Sequence, residues 1–277
     1  MDEMKLFKPF LIDAGPCRVS MGRFDPDETC GLTEEKVKKE YGRLQDKFSE
    51  LQELLYASKK YALLIVLQGM DCSGKDGTVK KLLAGINPNG FSVDSFKVPT
   101  PVELGHDYLW RIHRKAPVKG SIAIFNRSYY EDVLVTRVHG TVDDETAGRR
   151  FEEIRAFEKY LTDNGTIVLK FMLHISKEFQ RRRLEKRLEE PEKNWKFSES
   201  DLRERKFWDS YQNCYADVLS HCGTFFAPWY VVPSNHRWFR DYFILSVVVK
   251  TLESLPMEYP LLETNVGRLI REVKEEE

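Results

Sequence analysis

Gly69-Met70-Asp71-Cys72-Ser73-Gly74-Lys75 is the stretch of this chain best equipped for chemistry. Two glycines flank four residues and a lysine follows, the spacing of a phosphate-binding loop. Glycine lets a backbone curl until successive N–H groups point inward at an anion, and a helix that starts there adds its positive N-terminal end. Lys75 supplies a mobile point charge for the outer phosphates and is expected to face solvent. Gly69, Cys72, Ser73, Gly74, Asp76, Gly77 and Thr78 are therefore candidate phosphate- or nucleotide-binding positions. The common pattern places Ser or Thr directly after the lysine to ligate magnesium, whereas this chain has Asp76, Gly77 and then Thr78. Asp71, inside the loop, is an anion beside a phosphate. That arrangement is repulsive unless a divalent cation lies between them, so Asp71 reads as the metal-holding residue. A turn-forming aspartate is the plainer alternative.

Such a loop works only between a buried strand and a helix, and the flanking sequence supplies both. Residues 62–67 are uniformly apolar, and 79–84 continue a helix that closes near Gly85. Further strands are expected at 92–98, 121–125, 166–173 and 229–232. Helices are expected at 33–55, where Thr33 caps a stripe of Val37, Tyr41, Leu44, Phe48, Leu51 and Leu55, and at 103–114, 146–161, 201–222 and 237–255. The strand at 121–125 runs into Asn126-Arg127-Ser128-Tyr129-Tyr130-Glu131-Asp132. Parallel sheets bind ligands at strand carboxyl ends, so this cluster should face the phosphate loop. Strands alternating with helices give an α/β fold with a central parallel sheet.

Residues 177–206 hold Arg181, Arg182, Arg183, Lys186, Arg187, Lys193 and Lys196 among interleaved glutamates. A solvated, salt-bridged helix is the simpler reading. Three successive arginines nevertheless cover most of a helix circumference, so at least one can point into a cleft. The break at Pro191 suggests two helical arms and a hinge, the form of a lid. Residues 1–32 show no sustained periodicity and read as an extended arm; residues 256–277 read as a charged tail. The kinase-like body is then 33–255, with the lid at about 177–206.

At 277 residues the chain can bury one substantial core. A formal net charge of -1 provides no global basic field for nucleic acid. The start MDEMKLFKPF has no apolar signal region, and no run reaches membrane-spanning length, so a cytoplasmic protein without a membrane partner is expected. Five cysteines without a CxxC pair argue against a disulfide framework or a structural zinc site. Cys72 is the one thiol whose modification could matter, by blocking the loop.

With these pieces in order the chain resembles the polyphosphate kinase 2 family across residues 30–255. The resemblance rests on GMDCSGKDGT (69–78), FKVPT with HDYLWRIH (96–100, 106–113), FNRSYYEDVL (125–134), PEKNWKFS with DLRERKFWDSY (191–198, 201–211) and PWYVVPSNHRWFR (228–240). It implies a P-loop kinase fold of three α/β/α layers, similar to thymidylate kinase, with a helical lid. It also implies transfer of a phosphoryl group from inorganic polyphosphate to nucleotides, or the reverse, with magnesium or manganese. Carried over by motif, Asp71 would hold the metal, and Lys75 and Arg127 would contact the transferring group. Asn126, Tyr130 and Glu131 would lie among the nucleotide- and phosphate-binding residues, and Arg181, Arg182, Arg183, Lys193 and Lys196 would clamp polyphosphate. FNRSYYEDVL looks like the subgroup that accepts both AMP and ADP, with other purine nucleotides left open, and the resemblance suggests a homo-oligomer, dimer or tetramer. Two rivals remain at this point: an ATP-dependent nucleoside monophosphate kinase, and a non-catalytic nucleotide-binding module.

Overall fold

The structure is a computed structural model that describes residues 3–275; the first two residues of the expected arm and the last two of the tail lie outside it. Six strands form one sheet: β1 (Leu11–Ala14), β2 (Ala62–Gln68), β3 (Phe91–Ser95), β4 (Ile122–Asn126), β5 (Thr166–His174) and β6 (Thr224–Pro233). Among the described residues twelve α-helices accompany them: α1 (Glu3–Phe7), α2 (Glu34–Ser58), α3 (Lys75–Leu82), α4 (Pro101–Leu104), α5 (Trp110–His113), α6 (Val135–Val138), α7 (Asp144–Asp163), α8 (Lys177–Glu189), α9 (Glu199–Arg205), α10 (Trp208–Cys222), α11 (Arg237–Glu253) and α12 (Val266–Glu275). The sheet order is β1-β6-β5-β2-β4-β3, parallel except for β1, which runs antiparallel to β6. Helices α2 and α11 cover one face and α7 and α10 the other, giving the three-layer α/β/α architecture.

Burial explains why the central strands were legible. Every residue of β2 is buried, as a strand covered on both faces requires. The expected Thr33 cap holds, accepting from Lys36 N, and Asp143 and Ser176 cap further helices by accepting from Thr146 N and Phe179 N.

Four stretches differ from expectation. The helix expected over 103–114 is two short ones. A capping box between Thr100 and Glu103 starts α4, Gly105 ends it, and the Asp107 carboxylate restarts the chain by accepting from Leu109 N at 3.0 Å. The helix expected over 201–222 breaks at 206–207, because Arg205 turns α9 onto α8 by donating to Lys177 O at 2.7 Å and Gln180 Oε1 at 2.9 Å, while α10 packs on the body. The amino-terminal stretch supplies α1 and the edge strand β1. Phe7 is fully buried, stacked 4.0 Å from Phe243 and edge-on to Phe239 and Tyr242. A four-residue strand is too short to show a period, so only tertiary packing reveals it. The tail likewise contains a helix, α12, none of whose residues is buried.

One buried polar cluster ties the sheet to the α7–α10 layer. Lys170 Nζ on β5 lies 2.6 Å from Glu158 Oε2 on α7 and donates to Tyr130 Oη (3.0 Å) and Cys222 O (2.7 Å). Tyr129 and Tyr130 both donate to Glu158 Oε1, at 2.7 and 2.8 Å. Lys170 and Glu158 are wholly buried, so each charge depends on the other. Lys170→Met should lower the unfolding free energy in urea titrations by about 3–5 kcal/mol by orphaning Glu158. Pairing it with Glu158→Leu should recover much of that loss. A single-variant cost below about 1 kcal/mol would show that the ion pair is not what the cluster depends on.

Candidate active site at the sheet's carboxyl edge

Register brings the chemistry together. Leu67 pairs with Asn126 on one side and Phe171 on the other, so the loop after β2 opens beside the ends of β4 and β5. The loop backbone is unusual: Gly69, Cys72 and Gly74 all have positive φ (149°, 69° and 102°). A Cβ at Gly69 would lie 2.7 Å from Leu173 O, so no larger residue fits there. Cys72 adopts the left-handed conformation despite its side chain, the kind of local strain found at ligand-binding turns.

Lys75, expected to face solvent, is instead buried at 8% exposure. Its Nζ donates to Gly69 O at 2.7 Å and Met70 O at 3.2 Å, folding back over the loop it follows. Burial pushes its pKa down and the nearby Arg127 adds to this, while Asp71, Glu131 and Asp76 oppose it. A phosphate in the loop would supply the missing counter-charge.

Arg127, just past β4, also has a left-handed backbone (φ 64°), secured by its N–H donating to Leu67 O at 3.1 Å. That turn aims its guanidinium back at the loop, where Nη2 meets Asp71 Oδ1 at 2.9 Å. Asn126 Nδ2 donates to Asp76 Oδ1 at 2.6 Å, tying the end of β4 to the first turn of α3. Burial pushes the Glu131 carboxyl up, with Arg127 and Lys75 working against the rise. Asp71, Lys75, Asp76, Asn126, Arg127 and Glu131 thus converge as one cluster.

Tyr130 is not part of it, since its side chain lies in the core cluster with Glu158 and Lys170. The basic residues between 181 and 196 divide similarly. Arg181 is taken up by Glu178 and Glu185 on the exposed side of α8, and Arg182 is exposed beside Glu178. Arg183 turns inward, where burial and then the charges of Arg237, Arg187 and Arg240 press its pKa down. Lys193 pairs with Glu190, and its pKa is lowered by burial and by Lys186, Arg183, Arg237 and Lys196. Lys196 lies over the Trp195 ring at 4.9 Å.

Sequence reasoning missed several groups here. Gln180 of α8 donates to Asp71 O at 3.0 Å and accepts from Arg205, so one amide joins both lid helices to the loop. Arg187 pairs with Asp201 across the lid at 3.1 Å. Arg237 and Arg240 stand in the first turn of α11, where a cation opposes the helix dipole; that misplacement was the available signal. Burial raises the Cys72 thiol pKa, which makes it a poor nucleophile.

Beyond β3 a cavity of about 360 Å³ is lined by Thr100, Val102, Glu103, Trp110, Arg111, Arg114 and Lys115. Trp110 stacks on His106 (3.9 Å) and under Arg114 (4.6 Å). Arg111 is anchored by donating to Lys97 O at 2.9 Å. Its charge also reaches Asp132, whose carboxyl burial pushes up to about 6.

Among the described residues no cluster of three or more His, Cys, Asp or Glu could hold a metal ion by itself, and no helix is long and apolar enough to cross a membrane.

The sequence model of the family described as Polyphosphate kinase 2 matches residues 31–259. The chain is 46% identical over 257 residues to a Meiothermus ruber protein named AMP/ADP-polyphosphate phosphotransferase, covering 92% of this chain and 96% of that one. It is 45% identical over 235 residues to a Rhodopseudomonas palustris protein named ADP-polyphosphate phosphotransferase, covering 80% and 81%. Among solved structures, that of polyphosphate kinase 2 from Arthrobacter aurescens superposes with a TM-score of 0.91 at 37% identity, covering 95% of each chain.

Two outcomes follow from this geometry. Lys75→Ala should lower turnover at least about a hundredfold, a loss of about 3 kcal/mol, with circular dichroism unchanged; near-normal turnover in a folded variant would remove the lysine from the chemistry. Asp132 tests the electrostatics. An acid whose folded pKa is raised from 3.8 to about 6 binds more protons folded than unfolded, so its contribution to stability falls as pH rises through that window. Asp132→Asn should therefore gain stability relative to the parent between pH 4 and 7, read from urea midpoints. A constant difference across that range would show that Asp132 titrates normally.

Proposed function

The chain belongs to the polyphosphate kinase 2 family, and we propose that it transfers a phosphoryl group between inorganic polyphosphate and AMP or ADP. The observation that carries the donor assignment is the basic surplus where lid meets loop. Burial first, and then neighbouring cations, hold the pKa values of Arg183 and Lys193 down: Arg237, Arg187 and Arg240 act on Arg183, and Lys186, Arg183, Arg237 and Lys196 act on Lys193. Polyphosphate has no base or ribose to grip, and a row of guanidinium and ammonium groups recognises a repeating anion without either.

Phosphoryl transfer asks a protein for alignment and for charge around the moving group. In this reading the loop backbone and Lys75 hold the donor's terminal phosphates, and Arg127 reaches the transferring group from the end of β4. Asn126 and Asp76 fix the wall between loop and acceptor. The cavity lined by Trp110 takes the acceptor, with Arg111, Arg114 and Lys115 near its phosphates.

The residues fit a magnesium ion, with manganese the alternative. Asp71 and Glu131 offer carboxylate oxygens, and Ser73 Oγ and Thr78 Oγ1 are buried hydroxyls without a hydrogen-bond partner. Hard oxygen donors suit magnesium, which characteristically takes one or two carboxylates and completes its shell with water and substrate phosphate. When bound, the ion would neutralise charge on the phosphates. Asp71 would exchange its contact with Arg127 for the metal, freeing that guanidinium for the phosphoryl group.

The names of the two relatives differ in acceptor at nearly equal identity, so both acceptors belong in the test. Incubation with long-chain polyphosphate and magnesium, separately with AMP and ADP and with products resolved by chromatography, should yield the next higher nucleotide. Phosphorylation of AMP from ATP alone, with none from polyphosphate, would favour the ATP-dependent kinase. Within the lid, Arg183→Ala should raise the KM for polyphosphate about tenfold, while Arg181→Ala leaves it within about twofold. Equal effects of the two would mean that the inward position of Arg183 has no bearing on the donor.

A further inference from the structure

Arg240 is a cation where a helix least tolerates one. It lies in the first turn of α11, is 3% exposed, and its guanidinium reaches the phosphate loop from behind. Nη1 donates to Ser73 O at 3.2 Å; Nε and Nη2 donate to Asp241 Oδ1 at 2.9 and 2.7 Å. The loop is shaped to admit it. At Gly74 (φ 102°) a Cβ would lie 1.8 Å from Arg240 Nη1, and at Gly77 one would lie 3.4 Å from Nη2. The Gly74 position of the loop is thus glycine for two reasons, its backbone conformation and this guanidinium.

We propose that Arg240, held by Asp241, is a positioning residue that sets the Ser73–Gly74 peptide for phosphate binding. A trans peptide is planar, with C=O and N–H pointing in opposite directions. With Ser73 O drawn toward α11 by Arg240, the Gly74 N–H must point the other way. In a loop of this kind the N–H groups bind the anion, so rotation of that one plane removes a donor. Arg240 itself does not touch substrate: it is buried, and its fork is already occupied by Asp241 and Ser73 O. Asp241 pairs with its charge at 2.7 Å, although part of that charge still reaches Arg183. Its contribution is geometric, unlike that of the lid cations.

The inference rests on the reading that the loop holds the donor's phosphates, and binding without turnover separates the two. Isothermal titration of tripolyphosphate into the folded full-length chain should show a Kd about tenfold higher in Arg240→Lys and in the paired Arg240→Met/Asp241→Asn. A lysine keeps the charge but cannot span Ser73 O and Asp241 with a planar fork. Asp241→Asn alone, which leaves the arginine in place and preserves packing volume, should raise Kd several-fold and guards against poor folding of the others. In turnover, the KM for polyphosphate should rise with Kd while the KM for the acceptor stays within about twofold. The slope of log Kd against log salt should match the parent, because no substrate-facing charge is lost. Loss of tripolyphosphate binding in the variants upholds the positioning role even if the turnover assay disproves the donor assignment. Parental Kd in all three variants, with only a lowered melting temperature, would make Arg240 purely structural. Full rescue by lysine, or a shallower salt slope, would make it an electrostatic contributor and overturn the proposal.

Discussion

Mutual repulsion among cations is the constraint around which this site is built. Lys75, Arg127, Arg183, Arg187, Arg237 and Arg240 gather at one end of the sheet, and like charges brought together out of water each disfavour the others. The structure offsets them locally. Asp71 meets Arg127, Asp201 meets Arg187 and Asp241 meets Arg240, each within hydrogen-bond distance. Lys75 has only two carbonyl oxygens in direct contact, and Arg183 is pressed by three arginines. The unmatched remainder is thus concentrated at the loop and the inward face of α8. Polyanion binding draws on that remainder, which is why a chain of formal charge -1 can suit an acidic substrate.

Holding such a cluster requires a rigid floor, and the sheet provides it through buried polar contacts as well as apolar packing. The Lys170–Glu158 pair joins β5 to α7, and Tyr129 and Tyr130 bring the segment after β4 into the same cluster. Arg127 and Tyr129 are two residues apart, so the anchor in the core and the guanidinium at the site belong to one short, bent segment. The left-handed backbone at Arg127 lies between them. Strain there is tolerable because the Leu67 carbonyl holds one end and the tyrosines the other.

What the sequence made legible followed from how local each signal is. The loop, its strand and its helix lie within about twenty residues, and glycine spacing carries them directly. The buried strands announce themselves by composition, and the end of α8 by the break at Pro191. The misreadings share a cause in long-range contact. Tyr130, beside Arg127 in sequence, points into the core because Glu158, 28 residues away, accepts its hydroxyl. Arg181 and Arg183 are indistinguishable in a run of three arginines. Glu178 and Glu185 claim the first, and the second is left for the cleft. Gln180 and Arg240 carry no motif at all, and their partners are 109 and 167 residues distant. Only the cation in the first turn of α11 left a trace, as a violation of dipole preference.

That distribution has a consequence for how donor and acceptor are told apart. The 177–206 side offers charge without shape: arginines and lysines on two short helices, tethered to the loop through Gln180 and Asp71 O. The Trp110 side offers shape with charge: an aromatic plane between His106 and Arg114, and an arginine fixed by the Lys97 carbonyl. In the proposed reading a ligand with a base meets a shaped wall only on the second side, while a bare phosphate chain gains nothing there beyond what the cations of 177–206 already give. Asn126 and Asp76 tie the end of β4 to the first turn of α3 through one hydrogen bond of 2.6 Å.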